Sequence, residues 1–184
     1  MSGWETYVRK VEPYVPGEQP KVQDVIKLNT NENPYGPSEN VRKAMEAIDI
    51  DRCRLYPDPD VTKLVGSIAD YYGMDNNQVF VGVGSDDVLS MCFLTFFNGK
   101  KPVLFPDITY SFYKVWAELY KIPYETPALD EQFRIVKEDY YRENGGIIFP
   151  NPNAPTAIYE ELDFIEDILE HNRDSIVIVD EAYI

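Results

Sequence analysis

The chain has 184 residues, and 44% of them are hydrophobic, which is enough for a folded core and argues against a disordered protein. Its formal net charge is −15, which argues against the basic surface that nucleic acids and anionic membranes attract. We therefore expect small-molecule partners, with no nucleic acid and no membrane.

Cysteine and histidine are scarce. Cys53 and Cys92 are too few for a disulfide framework, and His171 is the single histidine, so we expect no metal site and no Ser-His-Asp triad. His171 is predicted to be a solvated residue in the last turn of a helix. The N-terminus lacks a signal-peptide pattern and no apolar stretch approaches the ~20 residues of a membrane span, so a cytoplasmic location is expected.

The first part of the chain is predicted to contain an arm, a polar loop and two helices. The arm extends to about residue 26, and residues 27–38 (KLNTNENPYGPS) form the loop. Ser38 is predicted to be the N-cap of the first helix. The second helix is predicted over residues 61–72, and its buried side is predicted to consist of Val61, Leu64, Val65, Ile68 and Ala69.

From residue 79 onward, short apolar runs alternate with amphipathic segments. The predicted strands are residues 79–81, 103–105, 147–149 and 176–179. The predicted helices are residues 86–97, 110–120 and 160–171. This alternation predicts an α/β fold with a mostly parallel sheet covered by helices.

The last predicted strand leads directly to Asp180. The run Ile-Val-Ile-Val at residues 176–179 has no polar alternation, which is typical of a central strand buried on both faces. Ligands in open α/β sheets bind beyond the carboxyl ends of such strands, so Asp180 is a candidate site residue. A cap for a following helix and a magnesium ligand are the alternatives.

Three further segments follow predicted strands and carry candidate site residues. In GVGSDD, residues 82–87, two glycines precede Ser85 and Asp86 at a helix start, where free N–H groups suit a phosphate, although Ser-Asp-Asp is also ordinary N-cap chemistry. In FPDITYSFY, Tyr110 begins a helix and is either a stacking ring or a core residue. In FPNPNAPTA, Asn153 offers an amide, although Asn and Pro also favour plain turns.

The order of these segments resembles the fold-type I enzymes of pyridoxal phosphate, in the class I and II aminotransferase group. Within that group, LNTNENPYGPS, YPDP and VDEAYI look most like the histidinol-phosphate aminotransferases. The resemblance covers the chain from about residue 27. It implies an N-terminal arm with a small-domain portion in residues 1–50, and the first half of the cofactor-binding large domain in residues 51–184.

Carried over residue by residue, the resemblance implies how pyridoxal 5′-phosphate is held. Ser85 and Asp86 would bind its phosphate, chiefly through backbone N–H groups. Tyr110 would stack on the pyridine ring. Asp180 would pair with the ring nitrogen and Tyr183 would hydrogen-bond the phenolic oxygen, which makes these two the catalytic residues that the resemblance assigns.

The resemblance also implies contacts beyond this cluster. Tyr56, in YPDP, would reach across a homodimer interface to the cofactor phosphate of the partner subunit. Asn31, Glu32 and Asn33 would lie near the substrate at the entrance of the active site.

The sequence departs from the family pattern in two places. The family has Asn-Asn-Pro-Thr-Gly, but here Ala154 directly precedes the proline, so Asn153 is expected to contact the phenolic oxygen from one position earlier. The Schiff-base lysine of the family lies downstream of the Asp-Glu-Ala-Tyr segment, and none of the lysines in this chain lies in a matching motif.

The leading hypothesis is transamination of histidinol phosphate with 2-oxoglutarate, giving imidazole-acetol phosphate and glutamate in L-histidine biosynthesis. A related aromatic-amino-acid aminotransferase and a phosphothreonine-type decarboxylase are alternatives from the same fold. A truncated, inactive fragment without the Schiff-base lysine is a third. A magnesium-dependent nucleotide enzyme using Asp180 is a fourth, but the chain has no Walker-type Gly-Lys-Ser/Thr.

Overall fold

The computed structural model describes residues 3–15, 17–18, 21 and 24–183. These residues form two compact units. One contains the described residues of Met1–Tyr14 and Gly82–Ile184, and the other contains those of Val15–Val81. The predicted domain division at residue 50 concerns the whole protein and stays a prediction.

The unit of residues 15–81 is built on two helices. Helix α1 spans Glu39–Glu46, and the hydroxyl of its N-cap Ser38 accepts the N–H of Val41, as predicted. Helix α2 spans Thr62–Tyr72. Its predicted apolar side is only partly buried, because Ala69 is buried while Val61 and Leu64 are exposed.

The strand predicted over residues 79–81 is wrong. Val79 follows a 3-10 turn at Asn76–Gln78 with extended dihedral angles, φ −114° and ψ 126°. No strand among the described residues pairs with this segment, and Phe80 is exposed. An apolar run forms a β-strand only when an adjacent strand hydrogen-bonds its backbone N–H and C=O groups. The hydrophobic pattern of the run does not show whether such a strand is present.

The other unit contains a four-stranded parallel sheet, which confirms the predicted α/β class. Its strands are β1 Val103–Leu104, β2 Tyr124–Glu125, β3 Gly146–Pro150 and β4 Val177–Asp180. Their order is β2-β1-β3-β4, and every pair is parallel. The sequence analysis missed β2, whose two residues are too few to show a period.

Strand β4 confirms the strand predicted before Asp180, while its predicted central position in the sheet of the whole protein stays a prediction. Among the described strands it pairs with β3 alone. Its four residues are half-buried, and Ile176 just before it is exposed.

Three helices cover the two faces of the sheet: α3 Ser85–Phe96, α4 Phe112–Tyr120 and α5 Leu162–His171. Successive strand residues point to opposite faces, so Ile148 packs into one core cluster and Ile147 and Phe149 into the other. His171 lies exposed in the last turn of α5, as predicted. None of the helices in the described part of the chain is long and apolar enough to cross a bilayer.

The loop after β3 is held back against the sheet by one buried amide. The side chain of Asn151 donates to the carbonyl of Glu160 at 2.9 Å and accepts from the N–H of Glu160 at 2.9 Å. Its backbone N–H donates to the carbonyl of Asp180, also at 2.9 Å. Asn151 therefore fixes the loop that leaves β3 to the end of β4, as the turn-forming role of Asn suggests.

The Glu160 carboxyl predicts a pH dependence of stability. Burial raises its pKa above the ordinary value of 4.5, although Arg134 lies 3.1 Å away and opposes that shift. The native state then holds a proton that the unfolded state has released, so this group's contribution to stability falls as the pH rises from 4.5 through the native pKa. Glu160→Gln removes the ionisation, so its stability relative to wild type should increase with pH.

The measurement is urea unfolding of wild type and Glu160→Gln from about pH 4 to about pH 7. Glu161→Gln, at the exposed neighbouring carboxylate, is the control and should show no such trend. A difference between wild type and Glu160→Gln that stays constant across this range would contradict the prediction.

Candidate active site

A cleft lies at the carboxyl edge of the sheet, beside the ends of β3 and β4. The register places Pro150 opposite Asp180, so both strands end at this edge. The cleft is lined by Ser85, Tyr110, Pro150, Ala154, Asp180, Ala182 and Tyr183. Four residues singled out from the sequence thus meet there: Ser85, Tyr110, Asp180 and Tyr183.

The first turn of α3 provides backbone donors beside this cleft. Gly84 precedes the helix at φ +92°, a conformation that glycine adopts readily, and no side chain caps the helix. The carboxylate of Asp87 instead accepts the N–H of Val83, at 2.9 Å. Among the described residues, no acceptor takes the backbone N–H of Ser85 or Asp86. Free N–H groups and the positive end of the helix dipole make this turn suitable for an anion.

Tyr110 forms an aromatic wall of the cleft. Its hydroxyl donates to Oδ1 of Asp86 at 2.7 Å, which ties the wall to the first turn of α3. The ring of Tyr113 lies edge-on to that of Tyr110, with the centroids 5.7 Å apart. Burial and the nearby Asp86 raise the pKa of Tyr110 well above its ordinary value, so the phenol stays protonated and remains a donor.

Asp180 ends β4 with both carboxylate oxygens in hydrogen bonds. Oδ2 accepts the hydroxyl of Tyr113 at 2.7 Å, and Oδ1 accepts the N–H of Ala182 at 3.2 Å. The sequence analysis missed Tyr113. Helix α4 begins at Phe112 and not at the predicted residue 110, so Tyr110 precedes the helix and no helical spacing links it to Tyr113.

Asn153 is buried beneath the cleft. Its amide donates to the carbonyl of Ile108 at 3.0 Å and to Oγ1 of Thr156 at 3.1 Å, and its Oδ1 accepts the hydroxyl of Thr109 at 2.9 Å. Both N–H groups of the amide are thus engaged, and Ala154 lines the cleft in its place. The contact predicted for Asn153 would require one of these bonds to be exchanged, and it stays a prediction.

The remaining candidates belong to the unit of residues 15–81. The side chain of Tyr56 is fully exposed. Glu32 pairs with Lys27, and the hydrogen bond and charge of that lysine lower the pKa of Glu32. Asn31 has a positive φ of 51°, and Asn33 accepts a backbone N–H two residues ahead at 2.9 Å. The roles of all four stay predictions.

Comparison with known proteins identifies the class. Residues 23–184 match the family of class I and II aminotransferases, and the chain belongs to this family. The family depends on pyridoxal 5′-phosphate, so the resemblance seen in the sequence and the cofactor it implied are both confirmed.

Particular relatives carry a more specific name. The chain is 56% identical to the histidinol-phosphate aminotransferase of Pseudomonas putida (strain W619) over 181 residues, covering 98% of this chain and 52% of the relative. The Clostridium beijerinckii histidinol-phosphate aminotransferase is 51% identical, with 98% and 51% covered. The chain thus spans about half the length of these relatives.

A solved structure confirms the fold. The histidinol-phosphate aminotransferase of Sinorhizobium meliloti, crystallised in complex with pyridoxal-5′-phosphate, superposes with a TM-score of 0.75. The sequence identity is 19%, and the match covers 84% of this chain and 43% of that one. Fold-type I architecture is therefore established for the part of the chain that the two structures share.

Proposed function

We propose that the complete gene product transfers the amino group of histidinol phosphate to 2-oxoglutarate, giving imidazole-acetol phosphate and glutamate in L-histidine biosynthesis. The observation that carries this proposal is the 51–56% identity, over 98% of the chain, to relatives named for that reaction. We further propose that the protein acts as a cytoplasmic homodimer.

The cleft fits the phosphate of pyridoxal phosphate at the first turn of α3. The N–H groups of Ser85 and Asp86 are without acceptors among the described residues, and they open the helix beside the cleft. A chain with a net charge of −15 repels anions at long range, so local donors must supply the attraction. Uncapped backbone N–H groups at a helix start supply it at short range.

The other walls of the cleft suit the aromatic part of the cofactor. Tyr110 offers a ring face, and its hydroxyl bond to Asp86 holds that ring in place. Asp180 and Tyr183 also line the cleft, where Asp180 would pair with the ring nitrogen and Tyr183 would hydrogen-bond the phenolic oxygen. When bound, the cofactor supplies an electron sink for amino-group transfer, and a carboxylate at the ring nitrogen strengthens that property.

Four further roles complete the proposal by resemblance. Tyr56 of each subunit would contact the cofactor phosphate of the other, and Asn31, Glu32 and Asn33 would contact the substrate. The nucleophilic Schiff-base lysine would come from a part of the protein beyond the Asp-Glu-Ala-Tyr segment. These assignments rest on the positions of the residues in the family motifs.

The test is an assay of the complete gene product with histidinol phosphate and 2-oxoglutarate, following glutamate formation. We expect glutamate only when pyridoxal phosphate is present. Phenylalanine, tyrosine and phosphothreonine are each assayed separately as alternative substrates. Transamination of aromatic amino acids alone, or release of carbon dioxide from phosphothreonine, would contradict the proposed substrate and favour the corresponding alternative.

A further inference from the structure

The contact between Tyr113 and Asp180 joins the core of the sheet to the cleft. Tyr113 lies in α4 and has no exposed surface, while Asp180 lines the cleft at the end of β4. The 2.7 Å hydrogen bond between them links residues 67 positions apart in sequence. Helix α4 and strand β4 therefore meet at the carboxylate.

The packing around Tyr113 makes it a rigid support. Its ring lies 6.3 Å from that of Phe93 and 5.9 Å from that of Phe105, both of them buried. A buried ring packed in this way has little freedom to move, so its hydroxyl holds the half-buried carboxylate of Asp180 in a fixed position. Burial, together with the charge of Asp180, raises the pKa of Tyr113 far above its ordinary value, so the hydroxyl remains a donor.

Two donors on different oxygens determine the orientation of the Asp180 carboxylate. Tyr113 holds Oδ2 and the N–H of Ala182 holds Oδ1, so rotation about the Cβ–Cγ bond would break both bonds. Each oxygen keeps a second lone pair for another donor. The carboxylate is thus held in one orientation while it can still accept a hydrogen bond from a ligand.

We propose that Tyr113 is a positioning residue, which holds the carboxylate of Asp180 where it meets the pyridine nitrogen of the cofactor. This inference rests on the proposed function, because it requires pyridoxal phosphate in the cleft. Tyr113 acts through Asp180 and does not contact the cofactor itself. Loss of its hydroxyl should therefore weaken the binding only of ligands that have a ring nitrogen.

Tyr140 offers a matched control for the loss of one hydroxyl. It is as deeply buried as Tyr113 but lies in the other core cluster, on the α5 side of the sheet. Its hydroxyl has no hydrogen-bond partner among the described residues. Tyr140→Phe therefore makes the same chemical change in a buried ring without affecting Asp180.

The experiment measures dissociation constants by equilibrium dialysis on the complete gene product. The probes are pyridoxal 5′-phosphate and 1-deazapyridoxal 5′-phosphate, in which a C–H group replaces the ring nitrogen. Tyr113→Phe should weaken binding of pyridoxal phosphate about tenfold, which is in the range expected for a hydrogen bond to a charged group. It should leave binding of the deaza analogue within about twofold of wild type, and Tyr140→Phe should change neither constant.

Equal weakening of both probes by Tyr113→Phe, or no weakening of either, would overturn the inference. If the single variant does not fold, Asp180→Asn is compared with Asp180→Asn/Tyr113→Phe, in which no charge is left unpaired. Equal affinity of these two for pyridoxal phosphate supports the inference, and weaker binding by the double variant overturns it. Failure of the proposed function is distinguishable, because wild type would then bind both probes but form no glutamate from histidinol phosphate and 2-oxoglutarate.

Discussion

The Asp180→Asn variant of the complete gene product is expected to lose about 10²- to 10³-fold in kcat for the transfer of the amino group of histidinol phosphate. The substitution keeps the size of the side chain and removes its charge. Asp180 lies at the end of β4, inside the cleft, and already accepts two hydrogen bonds that orient it. A neutral amide in this position cannot favour a protonated ring nitrogen, so the electron-withdrawing capacity of the bound cofactor should fall.

The control is Glu181→Gln, which removes the adjacent negative charge from an exposed residue that does not line the cleft. Its kcat should stay within about twofold of wild type, because an exposed charge is screened by solvent. Both variants should have the same urea unfolding midpoint within error. An Asp180→Asn variant with unchanged kcat, or equal losses in the two variants, would contradict the role assigned to Asp180.

The Gly146→Ala variant is expected to lower the free energy of unfolding by about 3–5 kcal/mol. Gly146 opens β3 at φ +139°, a conformation that side chains with a Cβ rarely adopt. An added Cβ would lie 2.3 Å from Cε1 and 2.6 Å from Cδ1 of Phe97, which is buried in the core. Phe97 packs edge-on against Phe93 with centroids 5.1 Å apart, so it has little freedom to move away.

Gly66→Ala is the matched control, and it is expected to raise the free energy of unfolding. Gly66 lies in the interior of α2, and an added Cβ would have no heavy atom within 4 Å. Alanine there should stabilise the protein by about 0.5–1 kcal/mol, because it restricts the unfolded chain and favours the helix. Urea unfolding monitored by circular dichroism measures both variants. Similar unfolding energies for Gly146→Ala and wild type would show that Phe97 yields to the added methyl group.

The sequence predicts the elements of the sheet well where their signal is local. Alternation of apolar runs with amphipathic segments located β1, β3 and β4 and the helices that cover them. Parallel strands end at one edge, so the segments that follow them could be expected to meet, and Ser85, Tyr110, Asp180 and Tyr183 do line one cleft.

The features that the sequence did not predict depend on contacts between residues far apart in the chain. Residues 79–81 have the composition of a strand but no partner among the described strands. The bond between Tyr113 and Asp180 joins distant residues, and 14 tyrosines in the chain hide its importance from any sequence pattern. The engagement of the Asn153 amide by Thr109 and Thr156 likewise depends on tertiary contacts that no local pattern shows.

The position of the cofactor tests the central claim most directly. A crystal structure of the complete gene product grown with pyridoxal phosphate would measure it. We predict the phosphate within about 3 Å of the backbone N–H groups of Ser85 and Asp86, and the pyridine nitrogen within about 3 Å of the Asp180 carboxylate. A phosphate bound at another helix, or a ring nitrogen facing away from Asp180, would contradict the site proposed for this chain.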